Sequence, residues 1–263
     1  MPDVLTLRSF AMIGVAETSH GCALVRHILS AGLRPRFALV ATGNAEQLSR
    51  SRDDWDRADW WHRRPRRPWL AVLRRRRMLS DATLTHVEAL YRLAGVPCLF
   101  VPALDGPVAC RLLGAGGVDA AVLAEAPMLR GEVLSVLPAG LLNLHAAPLP
   151  EYRGNYSTYW ALYHDEPLYV TAHVVAARAD RGAILARRRL PVFKTDTLED
   201  IDRRGFEECG LLAADVLARA GNEGVPVQPQ ADWQGTTFRG PMPPEIIDEL
   251  RRRLRDQEYT HYA

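Results

Sequence analysis

The sequence predicts an α/β protein: a Rossmann-like open, mostly parallel sheet followed by a small C-terminal tail. Three observations carry this. Short apolar runs alternate with segments whose apolar residues recur at helical spacing. The links between them are short and marked by Gly and Pro. The chain, 263 residues at 48% hydrophobic and 24% charged, holds enough apolar material for one large α/β domain or one domain with an appendage.

Taken in order, residues 10–15 form an apolar run suited to a buried strand. Ser19 can cap a helix with Ala23, Leu24, Ile28 and Leu29 on one side, which Gly32 and Pro35 end. Residues 37–41 are a second strand, followed by Thr42-Gly43-Asn44. A segment rich in Arg and Trp, residues 50–78, interrupts the alternation. Beyond it, Ser80 or Asp81 can cap a helix carrying Leu84, Val87, Leu90 and Ala94, ended by Gly95. Residues 98–101 make a third strand, and a short helix over 108–113 leads to a fourth at 120–124. A helix near 130–137 precedes a fifth strand at 140–145. Residues 169–175 and 183–192 then read as two long strands joined by a turn at Asp180-Arg-Gly182, where Gly182 can take a positive φ. Thr197-x-x-Asp200 signals the capped start of a helix to about Ala220, with Ile201, Cys209, Leu212 and Val216 on its apolar face. A Gly/Pro-rich stretch over 221–244 and a charged helix near 245–255 finish the chain. The expected division is a core over residues 1–193, with its insertion at 50–78, and a C-terminal part over 194–263.

The formal net charge of +2 conceals an imbalance. Of the 33 basic residues only Lys194 is lysine, and residues 50–78 hold eleven Arg against four Asp. That segment therefore carries +7 and leaves the remainder at −5, so basicity is local. It also holds Trp55, Trp60, Trp61 and Trp69. No run of 18 apolar residues suggests a transmembrane helix, and the first residues lack a signal-peptide pattern. Cys22, Cys98, Cys110 and Cys209 are scattered, which fits reduced thiols of a cytoplasmic protein without a metal site. The stretch between Gly14 and Gly21 is neither GxGxxG nor a Walker loop, which disfavours nicotinamide and P-loop enzymes.

Asn143 and His145 stand two apart on a predicted strand, so both side chains share one face at its C-terminal end, where open α/β sheets build sites. Pro148, Pro150, Tyr152-Arg153-Gly154 and Trp160 follow, and Asp180 lies some 35 residues on. These groups suit acyl transfer to an amine. Asn143 can donate to an oxyanion, His145 can take the amine's proton, and Asp180 can orient the imidazole. No Ser sits in a GxSxG elbow and no Cys has an activating partner, so a covalent nucleophile is not indicated. A His at a strand end, an Asp before Gly and an Asn after apolar residues are also ordinary structural features, and spacing alone leaves both readings open.

The whole string is more specific. Leu141-Leu-Asn-Leu-His-Ala-Ala-Pro-Leu-Pro-Glu-Tyr-Arg-Gly154, then Val170-Thr-Ala-His173 and Asp180-Arg-Gly-Ala-Ile184, resembles the 10-formyltetrahydrofolate-dependent formyltransferase family. The resemblance runs over roughly residues 10–192 and implies a formyltransferase fold. It further implies Asn143, His145 and Asp180 as the catalytic trio and 10-formyltetrahydrofolate as co-substrate, with no metal. It places the folate on backbone groups of two loops, at Pro127, Met128 and Leu129 and at Ala176, Ala177 and Arg178. The chain departs from the family pattern at Ala147, where Ser is usual, and at Pro148, where Leu is usual, which puts the loop's hydrogen bonding in question.

For the acceptor, the layout is nearest to amino-sugar N-formyltransferases. The expected reaction is direct attack by a primary amine on the formyl carbon through a tetrahedral intermediate. The amine belongs to a nucleotide-linked amino sugar or a natural-product amine, with Tyr152, Arg153 and Trp160 as acceptor contacts. Arginines can hold a diphosphate. The resemblance also admits a tRNA-directed enzyme, whose basic insertion falls at the same place as residues 50–78. The 263 residues stop too early for the barrel-like C-terminal domain expected of that group, so nucleic acid is not the expected partner. With water in place of the amine the same residues would serve a formyltetrahydrofolate hydrolase, and an inactive folate-binding module is a further alternative, against which the retention of all three residues counts. A homodimer contact through the tail is admitted but not demanded, and no membrane partner is expected.

Overall fold

The computed structural model describes residues 3–15, 19–43, 47–48, 86–231, 235–238 and 241–263. The Arg/Trp segment, the caps expected at Ser80 and Asp81, and Leu84 lie outside the described residues. Two compact units emerge, one of residues 7–141 and one of residues 1–6 with 142–263.

The first unit holds the parallel sheet. Its strands are β2 (Phe10–Val15), β3 (Ala38–Ala41), β4 (Cys98–Val101) and β5 (Ala120–Ala124), in spatial order β4-β3-β2-β5 and all parallel. They are buried almost throughout, as expected of strands covered on both faces. Helix α1 (Ser19–Ser30) buries Ala23, Leu24, Val25 and Ile28. Leu29 is only half-buried, because the apolar stripe runs through Val25 instead. Helix α2 (His86–Leu93) and helix α3 (Pro107–Ala115) complete the alternation. The helix expected near 130–137 is a single 3-10 turn, Gly131–Leu134. Gly131 at φ 73° starts it and Pro138 follows closely, so no longer helix fits between them.

The second unit is a mixed structure around β6 (Leu141–His145), β8 (Tyr169–Val174) and β9 (Ile184–Arg189). These pair antiparallel, with Asn143 opposite His173, His145 opposite Thr171 and Tyr169 opposite Arg189. The first strand, β1 (Val4–Leu5), pairs antiparallel with β10 (Val225–Pro226), which places residues 1–6 in this unit. Two further strands, β7 (Tyr152–Gly154) and β11 (Thr236–Phe238), pair in parallel. Between β7 and β8 lies α4 (Ser157–Tyr163).

Helix α5 (Leu198–Asn222) begins as the sequence indicates. Asp200 N–H donates to Thr197 Oγ1 at 3.2 Å and Thr197 N–H donates to Asp200 Oδ2 at 3.1 Å, a reciprocal capping box. The Thr197 hydroxyl, then Arg203, hold the Asp200 carboxyl down at about 2.

The C-terminal part departs from expectation. Instead of forming a tail, Met242, Leu250 and Leu254 (the last two on α6, Pro244–Arg255) and Tyr259 are buried in one cluster with Leu162, Leu168, Leu190, Val192 and Ile201. Tyr259 OH also donates to the Glu166 carbonyl at 2.9 Å, and Ala263 N–H to that of Val192 at 2.8 Å. Leu198, Ile201, Met242, Leu250, Leu254 and Tyr259 therefore contribute to the second unit's core, and the compact units divide at 141/142.

Candidate active site

The end of β6 positions the first two groups. Leu142 and Leu144 point into the core, so the pleat turns Asn143 and His145 to the other face, where both are partly exposed. The chain then passes through a cis Leu149–Pro150 peptide. The loop lacks a hydroxyl at Ala147, but Thr171 supplies one from β8. Its Oγ1 donates to the Ala147 carbonyl at 2.8 Å and accepts from Leu149 N–H at 3.3 Å. Thr158 donates to the Ala146 carbonyl. Two threonines thus satisfy the loop from neighbouring elements.

His173 faces Asn143 across the ladder. Its Nδ1–H donates to the Val174 carbonyl at 2.9 Å, which leaves Nε2 to accept from Asn143 Nδ2 at 3.1 Å. Burial, against the opposing pull of Asp180, lowers its pKa from 6.5 to about 4, so the ring is neutral at pH 7. The neutral ring fixes which way the Asn143 amide points and leaves its second N–H for another acceptor.

His145 has a complementary arrangement. Its Nε2 lies 3.1 Å from the Tyr152 carbonyl, which can only accept, and 3.0 Å from Ser157 Oγ. The Ser157 hydroxyl donates to the Gly154 carbonyl at 3.0 Å, so it too accepts from Nε2–H. In the neutral ring, Nδ1 therefore carries the lone pair, and it stands 3.8 Å from Asp180 Oδ1. Asp180 Oδ1 is also 3.6 Å from His173 Nε2, and Asp180 Oδ2 accepts from Gly154 N–H at 2.8 Å. The structure brings Asn143, His145 and Asp180 together, and the carboxylate faces the imidazole nitrogen that can take up a proton.

The turn at 180–182 differs in detail from expectation. Asp180 itself, at φ 55°, has the left-handed conformation. Gly182 is required for a different reason: a Cβ there would overlap the Val174 carbonyl. Arg153, expected as an acceptor contact, is completely buried. Its Nε donates to the Asp180 carbonyl at 3.3 Å and its Nη2 to Gln230 Oε1 at 2.8 Å. It is a structural clamp, because its guanidinium is spent on the turn that holds Asp180.

Tyr152 and Trp160 are half-buried and belong to an aromatic stack. Phe238 lies parallel to both, with centroids 5.9 Å from Tyr152 and 4.7 Å from Trp160, and Tyr152 Oη is 3.0 Å from His164 Nδ1. Of the loop residues implied by resemblance, Pro127 and Met128 are exposed and Leu129 is buried in the first unit. In the second unit Ala176 is half-buried, and Ala177 and Arg178 are exposed. Sequence reasoning missed Ser157, Thr171 and Gln230: Thr171 stands in the string Val170-Thr-Ala-His173 without a role assigned to it, and Ser157 and Gln230 stand in no distinctive local pattern. Among the described residues no group of three or more His, Cys, Asp or Glu could hold a metal ion. No helix there is long and apolar enough to cross a membrane.

Residues 108–214 match the formyl transferase family model, a span that contains Asn143, His145, His173 and Asp180. Solved structures with the same fold include glycinamide ribonucleotide transformylase 1 from Symbiobacterium toebii, at 20% identity and TM-score 0.55 over 84% of this chain and 94% of that one. A sugar N-formyltransferase from a Shewanella species gives 13% identity and TM-score 0.55 over 88% and 76%. An N-formyltransferase from Helicobacter canadensis, solved with folinic acid and dTDP-3-aminofucose, gives 13% identity and TM-score 0.54 over 97% and 83%. Residues 108–214 thus match the formyl transferase family model, and the chain shares the fold of solved formyltransferases.

Proposed function

We propose that the chain is an N-formyltransferase that moves the formyl group of 10-formyltetrahydrofolate to a primary amine of a small molecule, a nucleotide-linked amino sugar or a natural-product amine. The observation that carries this reading is the His145 imidazole. Its Nε2 is occupied as a donor, so Nδ1 is the basic nitrogen, and Asp180 faces it at 3.8 Å. Such a base is set to take the proton that an attacking amine must lose, and the carboxylate stabilises the imidazolium so formed. The spare N–H of Asn143 is set to meet the negative charge that develops on the formyl oxygen. His145 then returns the proton to the leaving folate nitrogen, so the protons balance.

The folate supplies the formyl carbon. Ala176, Ala177 and Arg178, in the same unit as Asp180, would hold it through backbone groups. Exposure of Met128 at 58%, beside a buried Leu129, fits a loop that presents apolar surface and peptide groups to a flat ligand. Tyr152 and Trp160 remain the proposed acceptor contacts, without Arg153. The amino-sugar preference is supported by the company of sugar N-formyltransferases of the same fold. The reading carries with it a cytoplasmic location.

The test is a screen of nucleotide-linked amino sugars, aminoglycosides and aminoacyl-tRNA with 10-formyltetrahydrofolate, read as the mass gain of one formyl group. Formylation of a small amine supports the reading. Formate release at full rate with no acceptor makes the chain a hydrolase instead, and formylation of tRNA alone replaces the small-molecule acceptor.

A further inference from the structure

We propose that Gln230 is a positioning residue of the active centre, acting through Asp180. Its kinetic consequence rests on the formyl-transfer reading above; its structural half does not. The Gln230 side chain makes four hydrogen bonds to two facing segments. Oε1 accepts from Arg153 Nη2 at 2.8 Å and from Arg153 Nε at 3.3 Å. Nε2 donates to the Gly182 carbonyl at 2.6 Å and to the Asp180 carbonyl at 3.1 Å. One amide therefore ties both ends of the 180–182 turn to the buried guanidinium of β7. Its own backbone is anchored two residues earlier, where Gln228 and Ile184 exchange hydrogen bonds of 2.8 and 2.9 Å.

The turn needs this hold. Asp180 occupies the left-handed region at φ 55°, a conformation that persists in a non-glycine residue when its surroundings fix it. The same backbone setting aims the carboxylate at Gly154 N–H, 2.8 Å away, and toward His145 Nδ1. The chemistry requires a side chain that donates and accepts at one end. Glutamate retains the acceptor for Arg153 but sets a negative oxygen against the two carbonyls.

The experiment compares wild type with Gln230→Ala and Gln230→Glu, each also in an Asp180→Asn background. With Asp180 intact, kcat falls about tenfold or more while KM for the formyl donor changes less than about twofold, the pattern expected of a displaced catalytic group. In the Asp180→Asn background the same substitution costs less than about twofold, because the group it positions is already disabled. An equal loss in both backgrounds overturns the proposal, since it marks a general structural defect. Gln230→Glu decides the matter if Gln230→Ala does not fold. Amide exchange at Gly154, measured without substrate, rises about tenfold when the Asp180 carboxylate no longer holds that N–H. Unchanged exchange in a folded variant overturns the proposal even if no acceptor is ever formylated.

Discussion

At the scale of single residues, the trio has unequal duties, and the geometry orders them. In the proposed reaction the lone pair of His145 takes the proton, so its replacement removes the base itself. His145→Ala is expected to lower kcat by at least about a hundredfold with the fold intact, and Asp180→Ala by a similar factor. Turnover near wild type in either purified, folded variant takes that residue out of the mechanism. His173 yields a prediction with a definite sign. Its pKa is about 4 in the folded protein against 6.5 for the free side chain, so below pH 6.5 the unfolded chain takes up a proton that the folded protein refuses. Its contribution to stability is therefore complete above pH 6.5 and is lost as the pH falls toward 4. Thermal unfolding between pH 7 and pH 4.5 checks this: His173→Gln flattens the fall in Tm relative to wild type, and an identical fall refutes the assignment. Asn143, His145 and Asp180 stand out in the sequence through the whole string that they share, since their spacing alone is also that of ordinary structural residues. Ser157 and Gln230 do not, since a serine after a tyrosine and a glutamine before an alanine carry no mark of the carbonyls they meet. Arg153 is misread for the opposite reason. A basic residue in a site loop suggests an anionic ligand, and only the structure shows its charge enclosed.

At the scale of elements, periodicity finds whatever is long enough to repeat. The buried strands β2 to β6 and helices α1, α3 and α5 fall where their apolar patterns place them. The strands β1, β7, β10 and β11 span two or three residues each, too few for an alternation to register, and their pairing is set by distant backbone. Gly154 illustrates this: it stands at φ 90°, and a Cβ would overlap the Phe238 carbonyl, a constraint that arises only once β11 is in place. Capping is the exception, since the Thr197–Asp200 box is written in four consecutive residues. Thr197→Ala removes the acceptor for Asp200 N–H and the donor to its carboxylate. The expected cost is about 1 kcal/mol, or a Tm lower by roughly 2–4 °C for a chain of this size. A Tm unchanged within error shows that packing alone holds the start of α5.

At the scale of the whole molecule, two features of the sequence pull apart: a few apolar residues in a polar C-terminal segment and a basic segment. The first is absorbed by folding. Met242, Leu250, Leu254 and Tyr259 are scattered among Gly, Pro and charged residues, so the segment looks peripheral until its few apolar groups converge on one cluster. The second has no part in the trio proposed for catalysis, which consists of an amide, an imidazole and one carboxylate. Residues 50–78 carry +7 while the remainder carries −5, so any anionic acceptor meets attraction in one place and mild repulsion elsewhere. That asymmetry predicts a division of labour between donor and acceptor. Replacing Arg63, Arg64, Arg66 and Arg67 by Gln is expected to raise KM for an anionic acceptor several-fold and to leave KM for the formyl donor within about twofold. Because the attraction is long-range, the wild-type KM for that acceptor should also climb with added salt, over ionic strengths where the Debye length shrinks from about 30 to about 8 Å. The variant should respond much less. If acceptor KM is the same in both proteins at every salt concentration, the segment does not recruit the acceptor, and its charge serves no part of this reaction.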